Sequence, residues 1–144
     1  MPAHRAFLVE DSPVIRANLV DTLEELLPIS VVGWADGEAA ASAWLDAHPD
    51  EWDLLIVDIF LNQGSGLGVI KACQQRPPHR KLAVLSNYAT PDMRVKCLEL
   101  GADAVFDKSN EIDALIAYCA RLNGGSTLDA WAPRACSATG SARS

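Results

Sequence analysis

Short apolar runs alternate along this chain with segments of helical periodicity, and this alternation limits the fold more than any other feature. Ser12-Pro13 and Thr90-Pro91 are typical helix beginnings, and Gly101 is a typical helix end. Strands that alternate with helices form a parallel sheet with helices on both faces, and right-handed crossovers favour a doubly wound order. Five strands are predicted, at residues 6–9, 29–34, 54–57, 81–85 and 104–106, with a helix after each.

The length and composition indicate one domain. The chain has 144 residues, and its 49% hydrophobic content suffices for one sizeable core. After residue 122 the periodic pattern gives way to Gly, Ser, Ala and Thr, so we expect a domain at residues 1–122 and a flexible C-terminal tail at residues 123–144. No stretch approaches the roughly 18 apolar residues of a membrane span, and no signal-peptide pattern begins the chain. A cytoplasmic protein is expected.

The charge and the cysteines argue against two classes of function. The formal net charge is −7 and Lys and Arg form no cluster, whereas nucleic-acid binding normally needs a basic surface, so we expect no direct nucleic-acid contact. The cysteines include no C-x-x-C pair, and those on predicted helices are interpreted as small apolar residues. A zinc site is therefore not expected.

Polar residues stand at the carboxyl ends of the predicted strands, where parallel sheets collect their functional groups. The first strand ends in Glu10 and Asp11, the third in Asp58, and the fourth and fifth in Ser86 and Lys108. Any one of them could be polar merely because strand ends meet solvent. The full set, which combines three acids with one hydroxyl and one amine, favours a functional site.

Three converging carboxylates need a cation, a shared proton or separation, because two of them about 4 Å apart repel by roughly 4 kcal/mol at an effective dielectric of about 20. An all-oxygen set with room for water suits Mg²⁺, which takes one or two carboxylates and keeps several waters. Beside the cation, one carboxylate can attack a phosphoryl group and form an aspartyl phosphate. The Ser86 hydroxyl and the Lys108 ammonium suit the phosphoryl oxygens.

Five separated motifs follow one another along the chain: FLVEDS, LLIVD, a glycine eight residues after that Asp (Gly66), AVLSN and GADAVFDKS. With these motifs the sequence resembles the receiver domain of two-component response regulators, over roughly residues 5–122. The resemblance implies a flavodoxin-like α/β fold with strand order 2-1-3-4-5. In that order the first and third strands are neighbours, which brings Asp11 beside Asp58.

The resemblance also implies a metal site with named ligands. Asp58 matches the phosphoacceptor of the family and would contact Mg²⁺. Glu10 and Asp11 match its acidic pair, Asp11 as a direct ligand and Glu10 through water. Phe60, two residues after Asp58, would give its main-chain carbonyl to the metal, a role that does not depend on its side chain.

Ser86 matches the switch hydroxyl of the family, and Lys108 matches the lysine that contacts the phosphoryl group. The chain departs from the family pattern at three positions. Val105 stands where an aromatic switch residue is usual, Ser109 where a proline often follows the lysine, and Asn62 where a proline often follows the phosphoacceptor strand. None of these departures removes a chemical group from the site, so they concern output coupling more than phosphorylation.

The function implied by the resemblance is that of a single-domain response regulator, which is not an enzyme in the turnover sense. A histidine kinase or a histidine phosphotransfer protein would phosphorylate Asp58. Phosphorylation would draw Ser86 and Lys108 inward and alter the packing of helix four, strand five and helix five, so that this face binds a downstream protein. The resemblance leaves open whether the chain forms a homodimer. We also expect Phe60 and Tyr88 to shield the acyl phosphate from water.

Two other functions stay open: a phosphate sink or relay intermediate, and a protein-binding module that works without phosphorylation. A phosphatase of the haloacid-dehalogenase type is disfavoured because it needs a second Asp two residues after the nucleophile, where this chain has Phe60. A nucleotide-binding loop at residues 64–68 is also disfavoured, because the third glycine of G-x-G-x-x-G falls at Val69. These glycines are interpreted as a flexible turn into the third helix.

Overall fold

The computed structural model describes residues 4–87 and 89–122, and within them strands alternate with helices as the sequence predicts. Tyr88 and the predicted tail at residues 123–144 lie outside the described residues. The strands are β1 (His4–Val9), β2 (Ile29–Ala35), β3 (Leu54–Val57), β4 (Lys81–Ser86) and β5 (Ala104–Asp107). The helices are α1 (Pro13–Leu26), α2 (Glu38–Ala47), α3 (Gly66–Ala72), α4 (Pro91–Leu100) and α5 (Ile112–Leu122).

The five strands form one parallel sheet in the order β2-β1-β3-β4-β5, which confirms the predicted flavodoxin-like α/β fold class. β1 and β3 are neighbours, and Val9 pairs with Val57 in their register. Glu10 and Asp58 follow those two residues directly, so both strands end in an acid at the same edge of the sheet. The main-chain N–H of Asp58 donates to the carbonyl of Val9 at 2.9 Å and continues the ladder past the end of β3.

The main core cluster lies where alternate side chains of the central strands meet α2, α3 and α4. Phe7, Val57 and Val84 are fully buried there. Leu19 and Leu23 of α1 are also buried, outside that cluster, as their helical spacing predicts. Burial of each such side chain contributes about 1.5–3 kcal/mol, so this packing supports the strand ends that hold the polar residues.

Polar side chains begin two of the helices as predicted. The Oγ of Ser12 accepts the N–H of Ile15 at 3.3 Å, and the Oγ1 of Thr90 accepts the N–H of Met93 at 3.2 Å. A proline follows each cap at the first helical position. Gly101 ends α4 with a φ of 120°, a conformation that favours glycine. These local signals are the reason why the starts of α1 and α4 and the end of α4 could be predicted closely.

The glycine-rich segment is helical from Gly66 onward, so the prediction of a flexible turn is wrong for its second half. Ser65 is the N-cap of α3, and its Oγ accepts the N–H of Leu67 at 3.1 Å. A Cβ at Gly66 would collide with the main-chain oxygen of Asp58, so glycine is needed where α3 approaches the end of β3. The pattern hid this helix start because glycine is normally unfavourable in helices.

The chain divides into two compact units after Ile112, and the sheet with α1 to α4 belongs to the first. The described part of the second unit is the rest of α5, in which Leu115 and Cys119 are buried four residues apart on one face. Cys73, Cys97 and Cys119 are buried thiols, and burial raises the pKa of Cys119 to about 12. None of the helices described is long and apolar enough to cross a bilayer.

Candidate functional site

Three carboxylates meet at the carboxyl edge of the sheet. One oxygen atom from each of Glu10, Asp11 and Asp58 lies within 4.8 Å of the other two. Glu10 and Asp58 are 3% and 5% exposed, and Asp11 is half-buried. The pairing of β1 with β3 produces this cluster because the acids follow neighbouring strand ends. The structure therefore brings together the acids that the sequence predicts to converge.

Lys108 joins the two buried acids. Its Nζ lies 2.7 Å from Oε1 of Glu10 and 2.9 Å from Oδ2 of Asp58, and its side chain is 8% exposed. Its main-chain N–H donates to the carbonyl of Ser86 at 2.9 Å, which holds the residue after β5 against the end of β4. The predicted amine is thus inside the acidic cluster, with its position fixed by the main chain as well as by charge.

Burial changes the ionisation of these groups. It raises the pKa of Asp58 and of Glu10 above their ordinary values, although hydrogen bonds from Lys108 oppose the change. Burial would lower the pKa of Lys108, but its hydrogen bonds to both carboxylates outweigh burial and raise it. The lysine therefore stays charged at neutral pH, while the buried carboxylates gain stability from a further cation or a proton.

Ser86, the predicted switch hydroxyl, is fully buried at the end of β4. It pairs with Asp107 in the register of β4 and β5, and its carbonyl accepts the Lys108 N–H. These contacts place Ser86 at the same edge of the sheet as the acids. The role of its hydroxyl toward a phosphoryl group stays a prediction.

The loop after β3 is tied to the acids through its main chain. The N–H of Phe60 donates to Oδ1 of Asp58 at 3.2 Å, and the N–H of Asn62 donates to Oδ2 of Asp11 at 2.9 Å. The Asn62 contact was not predicted from the sequence. The feature that could have indicated it is the departure from proline at this position. Proline has no N–H to donate, so Asn62 supplies Asp11 with a hydrogen bond that the usual residue would lack.

Arg94, near the start of α4, makes hydrogen bonds that the sequence did not predict. Its guanidinium donates to the carbonyls of Ala89 and Val105 at 2.9 and 3.2 Å, and to Oε1 of Glu111 at 2.7 Å. The hydrogen bond from Arg94 is the main reason why the pKa of Glu111 lies below its ordinary value. Arg94 therefore links the start of α4 to β5 at Val105, the position where the family usually has an aromatic residue.

The donor set fits a hard divalent cation. Carboxylate oxygens are the ligands that Mg²⁺ prefers. Three carboxylates and one ammonium leave a formal charge of about −2, which one Mg²⁺ would neutralise. Two of the three acids are buried with a raised pKa, so binding of a cation would offset a cost that surface acids do not have. Asp11, Asp58 and Glu10 are therefore suitable for holding Mg²⁺.

The doubly wound parallel sheet, with clustered acids and a lysine at its carboxyl edge, places the chain among flavodoxin-like α/β domains with an acidic site. The family model of the response regulator receiver domain matches residues 6–120 of this chain. The chain therefore belongs to this family. Receiver domains are phosphoacceptor signalling domains of two-component systems, not catalysts of a metabolic reaction. They bind Mg²⁺ at the acidic site and interact with histidine kinases or phosphotransfer proteins.

Relatives with known names and structures agree with this family. The chain is 30% identical over 98 residues to the DNA-binding transcriptional activator DevR/DosR of Mycobacterium tuberculosis, covering 68% of this chain and 44% of the relative. It spans about half the length of the curated relatives it matches.

Two solved structures show the same fold. The signal receiver domain of NarL from Mycobacterium tuberculosis is 24% identical, with a TM-score of 0.73 and coverage of 86% of this chain and 99% of that one. A CheX–CheY–BeF3–Mg complex from Borrelia burgdorferi gives a TM-score of 0.75 at 14% identity, with coverage of 83% and 89%.

Proposed function

We propose that this domain is a phosphorylation switch in which Asp58 accepts a phosphoryl group in the presence of Mg²⁺. The observation that supports this best is the 2.9 Å contact of the Lys108 ammonium with Asp58 beside two further carboxylates. Asp11, Asp58 and the main-chain carbonyl of Phe60 would hold the metal, and Glu10 would act through water. The same residues are those that match the family motifs.

The proposed step is an in-line displacement at phosphorus. A carboxylate oxygen of Asp58 forms the new P–O bond while the P–N bond of a phosphohistidine breaks, and the imidazole leaves with the bonding electrons and takes a proton from solvent. When bound by these residues, Mg²⁺ would supply positive charge at the phosphoryl oxygens. Lys108 neutralises another of these oxygens, and the Ser86 hydroxyl donates a hydrogen bond. Because burial raises the pKa of Asp58, protonation removes the reactive carboxylate at a higher pH than it would for an exposed Asp.

The phosphoryl donor is proposed to be a histidine kinase or a histidine phosphotransfer protein, since receiver domains interact with such proteins. The CheY complex that resembles this chain contains BeF3 and Mg, which supports a metal-dependent site in this fold. The expectation of a single-domain regulator stays a prediction, because the chain spans about half the length of its curated relatives. The absence of nucleic-acid contact and a location in the cytoplasm also stay predictions.

Phosphorylation can be tested directly with a small phosphodonor. The purified chain is incubated with acetyl phosphate and Mg²⁺, and intact mass is measured for wild type, Asp58→Asn and Asp46→Asn. Asp46 is an exposed acid on α2 and serves as the matched control. One phosphoryl increment on wild type and on the control, but not on Asp58→Asn, is expected. An increment on Asp58→Asn, or none on any protein, would count against Asp58 as the phosphoacceptor.

We further propose that the phosphorylated domain binds a downstream protein through a surface that includes α4. Val95 and Leu98 of α4 are 54% and 50% exposed and lie three residues apart, so they form an apolar pair on one helix face. Tighter binding of a partner to phosphorylated wild type than to Asp58→Asn would support the switch. Equal binding would favour a module that works without phosphorylation. Rapid loss of phosphoryl from the kinase without any downstream partner would favour a phosphate sink.

A further inference from the structure

The carboxylate of Glu38, the first residue of α2, binds the loop that follows the proposed phosphoacceptor. Its Oε1 accepts the main-chain N–H of Ser65 at 2.8 Å, and the main-chain N–H of Glu38 donates to the carbonyl of Gln63 at 3.0 Å. The side chain and the main chain of Glu38, which is half-buried, therefore hold the loop at Ser65 and at Gln63. Neither contact follows from local sequence, since 27 residues separate Glu38 from Ser65.

Two glycines of the glycine-rich segment make room for this carboxylate. A Cβ at Gly68 would collide with the Glu38 carboxylate, and its three nearest atoms would all belong to the Glu38 side chain. A Cβ at Gly64 would collide with the Cβ of Glu38, and Gly64 also has a φ of 80°, which favours glycine. The segment that resembles a nucleotide-binding loop is therefore shaped around an internal carboxylate.

The loop that Glu38 holds is also the one tied to the acidic cluster. Its Asn62 N–H donates to Asp11, its Phe60 N–H donates to Asp58, and Gly66 donates to the carbonyl of Ile59 at 3.0 Å. A shift of the loop at Ser65 would therefore move the main chain that contacts both acids. The connection is continuous from Glu38 to Asp11 through hydrogen bonds and a few residues of backbone.

We infer that Glu38 is a positioning residue of the metal site, which fixes the loop from Phe60 to Ser65 so that the acids and the Phe60 carbonyl can bind Mg²⁺ together. The inference rests on the proposed function, because it concerns the affinity of the same site. Residues that hydrogen-bond a metal ligand typically change metal affinity by about 10–100-fold when they are removed. Glu38 contacts the loop one step further from the ligands, so we expect a change at the lower end of that range. Glu38 acts as a hydrogen-bond acceptor toward the Ser65 N–H, and an amide oxygen at the same place can accept that hydrogen bond.

The test measures the dissociation constant for Mg²⁺ by isothermal titration calorimetry, without any phosphodonor, at a temperature where circular dichroism shows every variant folded. Glu38→Ala removes the acceptor, and we expect the constant to rise about tenfold. Glu38→Gln keeps an acceptor for the Ser65 N–H and should stay within about threefold of wild type. Gly68→Ala keeps Glu38 but displaces its carboxylate, so it should weaken binding as Glu38→Ala does. Asp46→Ala, an exposed acid on the same helix, should leave affinity unchanged.

Each outcome separates the inference from the function on which it rests. Equal losses in Glu38→Ala and Glu38→Gln would show that charge alone acts, and would overturn a positioning role. Wild-type affinity in Glu38→Ala or in Gly68→Ala would overturn it as well. If wild type itself binds no Mg²⁺, the proposed function fails before the variants are compared.

Discussion

The Lys108 ammonium lies 2.9 Å from the carboxylate of Asp58, and both side chains are almost completely buried. The same ammonium lies 2.7 Å from Glu10, so one lysine neutralises part of a cluster that would otherwise repel itself. In the proposed function Lys108 also neutralises the incoming phosphoryl group. In that function the lysine would have two successive roles, first toward the acids and then toward the phosphoryl oxygens.

The first prediction is that Lys108→Met lowers the free energy of unfolding by about 3 kcal/mol at neutral pH, because removal of one partner leaves buried carboxylates without a counter-charge. Met keeps the apolar stem, so the loss reports the charge. Mg²⁺ should bind Lys108→Met more tightly than wild type, because the metal no longer competes with the ammonium for the carboxylates. Urea denaturation with and without Mg²⁺ measures both effects. Lys71→Met, at an exposed site of α3, is the control, and equal stability of the two variants would contradict the prediction.

The second prediction is that Asp58→Asn stabilises the metal-free domain by about 1 kcal/mol at neutral pH. Burial raises the pKa of folded Asp58 above its unfolded value, so its contribution to stability is complete below the unfolded pKa and is lost as pH rises through the folded pKa. Asn does not ionise and avoids that loss. The advantage of the variant should therefore be small near pH 4 and grow toward neutral pH.

Urea denaturation in EDTA across this pH range measures the difference, with Asp46→Asn as an exposed control. An advantage that is independent of pH would show that ionisation of Asp58 is not its cause. Added Mg²⁺ should reverse the order, because it stabilises wild type by mass action and binds the variant less well.

The third prediction concerns Gly68 and the Glu38 carboxylate. Gly68→Ala should destabilise wild type by about 1 kcal/mol, because the new Cβ displaces the carboxylate. In a Glu38→Ala background the obstructing atoms are gone, and the same change should stabilise the domain by about 0.5–1 kcal/mol through better helix propensity. Thermal or urea unfolding of the four proteins of this double-mutant cycle measures the change of sign.

The control is Gly66→Ala, which should destabilise the domain in both backgrounds because its Cβ would collide with the main-chain oxygen of Asp58. Additive effects at Gly68 and Glu38 would contradict the contact.

The fourth prediction is that Phe60→Ser shortens the lifetime of the phosphorylated protein. The Phe60 side chain is 50% exposed and Phe60 lies two residues after Asp58. We expect its bulk to limit the approach of water to an acyl phosphate on Asp58. The rate of phosphoryl loss is followed by intact mass after removal of the phosphodonor. Val95→Ser, at a similarly exposed apolar site on α4, is the control. A decay rate that is unchanged in Phe60→Ser would remove Phe60 as a shield.

Much of the fold was predictable because its signals are local. Ser12, Thr90 and Gly101 mark helix ends through their own side chains or their lack of one, and apolar runs mark the strands. The acids were predictable as a group because parallel strand ends share one edge of the sheet. The first turn of α3 was not predicted, because the reason for glycine at Gly66 is an oxygen of Asp58 that approaches only in the folded chain.

The sequence by itself determined the alternation of strands and helices and the position of Glu10, Asp11 and Asp58 at strand ends, since periodicity and capping depend on neighbouring residues. Only the tertiary structure decided which atoms meet. The Asn62 N–H on Asp11 and the Ser65 N–H on Glu38 are main-chain donors, which every residue except proline possesses. Apart from the exclusion of proline, residue identity therefore does not encode such contacts; the path of the loop through space does.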